Sequence, residues 1–66
     1  MSEEEELVTT AEVAKRLRVS MRTVQGWVAR GIVTPALVLP GGGYRYRLSE
    51  VVRQLREEQE RRERGE

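Results

Sequence analysis

Residues 9–31 read TTAEVAKRLRVSMRTVQGWVARG, two amphipathic helical segments joined by a very short connection. Thr9-Thr10-Ala11-Glu12 has the spacing of a capping box, in which the Thr9 hydroxyl and the Glu12 carboxylate each satisfy an orphan backbone N–H of a first helical turn. The first helix is therefore expected to start there and to end near Arg18. Val13, Ala14 and Leu17 form its buried face and leave Lys15, Arg16 and Arg18 towards solvent or a polyanion. Ser20 is a good N-cap for a second helix over Met21–Arg30, on which Val24, Trp27 and Val28 recur at i, i+3 and i+4. Gly31 supplies a left-handed residue to stop it. Trp27 lies on the apolar stripe and is assigned to the core rather than to base stacking. With only Arg18-Val19-Ser20 between them, the helices must pack at an angle.

Such a pair, with polar residues on the N-terminal turns of its second helix, is a device for placing side chains in a DNA major groove. Ser20, Arg22, Thr23 and Gln25 occupy those turns; arginine suits guanine and glutamine suits adenine. Lys15, Arg16, Arg18 and Arg30 are candidate phosphate contacts.

Beyond Ile32 the period changes. Ala36-Leu37-Val38-Leu39 is β-prone, Pro40-Gly41-Gly42-Gly43 is a turn, and Tyr44-Arg45-Tyr46-Arg47 alternates strictly, which together predict a β-hairpin. Alternation sends both tyrosines to one face, expected to pack inward, and presents Arg45 and Arg47 outward for DNA backbone or minor-groove contact. The glycines lack the Lys-Ser/Thr that completes a phosphate loop. Ser49 is expected to cap a last helix from Glu50 onward, carrying Val51, Val52 and Leu55. No large apolar residue follows Leu55, so no stable coiled-coil dimer is expected. The organisation that results is a disordered acidic leader over 1–6, one domain over 7–56 and a charged helical tail over 57–66. The fold class is mainly α with a small β-hairpin, a winged helix-turn-helix.

Charge is segregated along the 66 residues: 1–12 carry five glutamates and no base, whereas 13–47 carry seven bases and no acid, within a net charge of +1. A nearly neutral chain thus has a basic middle, the electrostatic footprint of nucleic-acid binding. Cysteine, histidine and aspartate are absent, so no metal cluster, cofactor motif or nucleophile–base pair can be assembled, and neither an enzyme nor a cofactor is expected. No apolar run approaches membrane-span length and the N-terminus is acidic rather than basic, which points to a cytoplasmic, nucleoid-associated location with no membrane partner.

The string from Thr10 to Trp27, followed by Pro40-Gly41-Gly42 and by Arg45-Tyr46-Arg47-Leu48-Ser49-Glu50-Val51, resembles the MerR superfamily and its excisionase-like members over residues 8–55. The resemblance implies a winged DNA-binding fold whose second helix enters the major groove while the wing holds adjacent backbone, with contacts from Ser20, Arg22, Thr23, Gln25, Arg45 and Arg47. Gln25 and Gly26 stand where many relatives have arginine and a larger polar or aromatic residue, and Gly43 and Tyr44 replace the usual histidine and arginine of the wing, so base preference does not carry over. The long dimer helix and effector domain of full MerR activators are not expected, nor is metal or drug sensing. What remains is similar to stand-alone excisionase and BldC-like regulators, which implies cooperative self-association on double-stranded DNA. The expected role is a transcriptional regulator or an excisionase-type recombination directionality factor. Two alternatives are the N-terminal DNA-binding domain of a serine-type transposase or recombinase, and a protein–protein interaction module.

Overall fold

The computed structural model describes residues 5–65. Helix α1 spans Thr10–Leu17, α2 Met21–Ala29 and α3 Leu48–Glu63, with strands β1 (Leu37–Val38) and β2 (Tyr44–Arg45) between α2 and α3. The capping box of α1 forms as the spacing requires: Glu12 N–H donates to Thr9 Oγ1 at 3.1 Å and Thr9 N–H to Glu12 Oε1 at 3.0 Å. Ser20 Oγ likewise accepts from Thr23 N–H at 3.1 Å and caps α2.

Both helices end in the same hydrogen-bond pattern, a Schellman motif. In α2, Ile32 N–H reaches Trp27 O at 2.9 Å and Gly31 N–H reaches Val28 O at 3.1 Å, with Gly31 at φ 78°. In α1, Val19 N–H reaches Ala14 O at 3.0 Å and Arg18 N–H reaches Lys15 O at 3.3 Å, and the left-handed residue is Arg18 itself, at φ 62° and ψ 44°. A non-glycine residue there costs conformational energy. Helix packing holds it, because Val19, the residue that follows, lies against the core.

The hairpin is short. Leu37 pairs with Arg45 and Val38 with Tyr44 in antiparallel register. Leu39-Pro40-Gly41-Gly42 closes the turn through Gly42 N–H to Leu39 O at 2.9 Å, with Gly41 at φ 97°. Proline second and a positive-φ glycine third are the requirements of a type II turn. On the far side of β2, Val8 and Tyr46 exchange two backbone hydrogen bonds of 2.9 and 2.8 Å. β2 is therefore held on both sides and β1 is the free edge.

Val13, Ala14, Val24, Val33, Tyr46 and Val51 form the core, with Leu17, Val19, Trp27, Val28, Ile32 and Leu55 packed partly against it. Full burial of a valine contributes about 1.5–3 kcal/mol, so in a chain this small a few such side chains carry much of the stability. Tyr46 is buried to 1% exposure and its hydroxyl accepts from Thr10 Oγ1 at 3.2 Å. Among the described residues no buried side-chain polar atom lacks a partner.

Two expectations are corrected. Tyr44 does not pack inward with Tyr46 but stays 39% exposed. The two rings share a face, edge to plane at 6.5 Å, but the core ends beneath Tyr46 and the hairpin tip projects beyond it. The last helix starts at Leu48, with Arg47 in the cap position and making no side-chain cap bond. Ser49 is not the cap. Its N–H and hydroxyl instead donate to the Glu5 carboxylate at 3.1 and 2.6 Å. Residues 1–4 of the expected leader lie outside the described residues; Glu5, within that leader, is tied to α3.

Past Leu55, α3 continues in helical form to Glu63. Arg53 pairs with Glu57 at 2.9 Å, and Glu58 is shared by Arg61 and Arg62. Exposed pairs at this spacing contribute only about 0.3–0.5 kcal/mol each.

Candidate nucleic-acid interface

Helix α2 buries Val24 and turns its opposite face outward. Ser20, Arg22, Thr23, Gln25 and Arg30 are all exposed. Ser20 and Thr23 are less free than their exposure suggests, because their hydroxyl groups lie 3.1 Å apart and one also accepts the capping N–H. Gly26 lies on the same outward side, one turn beyond Arg22. A glycine inside a helix costs about 0.8–1.0 kcal/mol relative to alanine.

The hairpin stands next to the first turns of α2. Between them lies an open groove of ≈ 530 Å³ to which α2 contributes Met21 and Gln25, the start of α1 Thr10, and the hairpin Gly43, Tyr44 and Arg45. The fold thus brings Gln25 and Arg45, twenty residues apart in sequence, to one concavity. Arg45 is half-buried, and its Nη1 donates to Tyr44 O at 2.9 Å, which holds the guanidinium against its own strand.

The remaining basic candidates are dispersed. Lys15 and Arg16 are exposed on α1 and Arg18 in the turn that follows it. Arg30, at the far end of α2, borders a separate cleft with Trp27, Ile32, Leu55, Glu58 and Arg62. Arg47 is exposed at the start of α3 and lies near Glu5. The Glu5 carboxyl is held below its ordinary value of 4.5, first by the Ser49 hydroxyl, then by the Ser49 N–H, and to a lesser degree by the Arg47 charge. One acid is therefore returned by tertiary structure to the edge of the acid-free stretch.

Tyr44, Met21 and Thr10 line the groove although sequence reasoning did not single them out. Alternation had placed Tyr44 in the core beside Tyr46, and nothing local reveals where a core stops. Met21 continues the apolar stripe of α2 three residues before Val24, so spacing alone assigns it to the core, whereas it is 44% exposed.

A family model described as a helix-turn-helix domain matches residues 7–59. The chain belongs to this excisionase-like helix-turn-helix family. No curated protein and no solved structure matches it. The helix-turn-helix match takes in α1, α2, the hairpin and the greater part of α3, so that the wing and the helix pair fall inside one family domain. A helix-turn-helix protein of this family binds DNA; in helix-turn-helix domains generally the second helix is the one that enters the major groove. Among the described residues, no helix is long and apolar enough to cross a membrane.

Proposed function

We propose that this helix-turn-helix protein binds duplex DNA sequence-specifically and without catalysis, as a transcriptional regulator or a recombination directionality factor of the nucleoid. The observation that carries this reading is the groove between α2 and the wing, with Gln25 and Arg45 on its two sides, inside a stretch that has seven bases and no acid; Arg22 is exposed on the same helix. In this reading Arg22 and Gln25 meet base edges, while Ser20 and Thr23 meet phosphate at the cap. Arg45 and Arg47 hold the backbone beside the major groove. Lys15, Arg16, Arg18 and Arg30 add phosphate contacts. Successive copies bind cooperatively along DNA as monomers, the mode that the resemblance to stand-alone excisionase-like regulators implies; α3 has no apolar seam beyond Leu55 on which a coiled-coil dimer could close.

Selection of binding sites from random duplex DNA, with a salt titration of the enriched sequence against a scrambled control, tests the reading. An enriched, repeated motif is expected, with log affinity falling against log salt at a slope of about −4 to −5 if roughly five phosphates are neutralised. Its repeat length reports whether copies bind singly or in arrays. A flat salt dependence with no enriched sequence rejects DNA recognition and favours a protein-interaction module.

A further inference from the structure

Gly26 is the only glycine inside a helix among the described residues. Nothing among the described residues calls for it. It is not among the glycines with positive φ, and a Cβ built on it meets no atom within 4 Å. After proline, glycine is the poorest helix former, so this position carries a local penalty with no gain inside the fold. Where a local rule is broken without internal compensation, the reason is to be sought outside the chain.

The surroundings of Gly26 indicate what that outside partner is. Arg22, Gly26 and Arg30 follow one another at i, i+4 and i+8 and so form one outward row on α2. Two like charges on one row, in a stretch with no acid between residues 13 and 47, favour a polyanion; Glu58, which borders the cleft at Arg30, is already paired with Arg61 and Arg62. The arginines are about 12 Å apart along the axis, and the major groove is about 12 Å wide. In this row Arg22 is directed to base edges and Arg30 to phosphate, while the bare centre between them faces the bases.

Building on the DNA-binding reading above, we propose that Gly26 is a close-approach and specificity-determining position, at which the uncovered backbone of α2 lies against base edges of the major groove. A side chain there would hold the helix off the duplex. Direct contacts from Arg22 and Gln25 would then lose their geometry, while general attraction to phosphate would persist.

The test compares Gly26→Ala and Gly26→Arg with the wild-type chain on the selected duplex and on a scrambled duplex, alongside thermal melts of each protein. Gly26→Ala is expected to melt higher than wild type, since alanine is the better helix former, yet to bind the selected duplex about tenfold more weakly or worse. Its affinity for the scrambled duplex is expected to stay within about twofold of wild type, because the phosphate attraction is unchanged. Gly26→Arg adds a cation to the same face and is expected to hold or gain on scrambled DNA while losing the selected site. Wild-type affinity of Gly26→Ala for the selected duplex, or tighter binding of that duplex by Gly26→Arg, would overturn the proposal. If the wild-type chain itself binds neither duplex, the DNA reading fails first and this inference falls with it.

Discussion

Arg18 and Gly31 close successive helices with the same pair of hydrogen bonds, and only one of them is the residue the conformation prefers. At the residue scale this comparison makes a clean experiment. Arg18→Gly relieves a left-handed φ of 62° at a non-glycine position and is expected to stabilise the protein by about 0.5–1 kcal/mol. Denaturant unfolding followed by the fluorescence of the single Trp27 measures it. If Arg18 contacts a phosphate, the same substitution makes the salt slope of DNA binding shallower by about 0.9. Stability and binding then move in opposite directions from one side chain. The left-handed state of Arg18 was not legible in the sequence, because arginine gives no local signal for it, whereas Gly31 announced its own role.

Caps decide the matter at the scale of elements. Ser20 is both the N-cap of α2 and a candidate phosphate contact, so Ser20→Ala would confuse lost stability with lost binding. Ser20→Asp separates them. Aspartate caps as well as serine, and an anion favours the helix N-terminus, so the melting temperature is expected to hold. Affinity for the selected duplex is expected to fall, since the new charge faces phosphate; unchanged affinity would remove Ser20 from the interface. Helix α3 takes its cap from far away, through Glu5. The folded-state pKa of Glu5 is depressed, so its contribution is present at neutral pH and is lost as pH falls through that lowered value. Glu5→Ala is accordingly expected to melt below wild type at pH 7, with the difference shrinking once the pH drops under the ordinary carboxylate value of 4.5. Paired thermal melts across that range check it, and a difference that persisted undiminished in acid would show that the carboxylate charge is not the cause. The capping box of α1 and the cap of α2 were readable because donor and acceptor lie three residues apart. The cap of α3 joins residues 44 apart, and no local pattern encodes such a pair.

For the whole molecule, the arrangement of charge matters more than its sum. A net charge of +1 would confer little attraction to DNA if spread evenly, but residues 13–47 hold seven bases and no acid, and of these Lys15, Arg16, Arg18, Arg22, Arg30 and Arg47 are exposed. Removing the charge of the wing and that of its junction with α3, with Arg45→Ala and Arg47→Ala, is expected to lower affinity and make the salt slope shallower by about 1.8, close to 0.9 for each phosphate that is no longer neutralised. A salt titration of the double variant on the selected duplex measures the change, and an unaltered slope would place the wing away from the phosphates. The helical content and the melting temperature should change little, since neither guanidinium is part of the core.

Local order was determined by sequence alone. The helix pair, its three-residue turn, the glycine stop, the glycine-rich turn of the hairpin and the basic middle of the chain all arise from interactions between near neighbours, so their signals lie in short spacings. Tertiary structure decided what depends on where the core ends and on which distant segments meet. It left Tyr44 exposed, set Arg18 in a left-handed conformation, carried Glu5 to the start of α3 and brought Gln25 and Arg45 to one groove. The physical reason is that burial and long-range hydrogen bonding are properties of the packed molecule, and a side chain's own neighbours in sequence do not specify them.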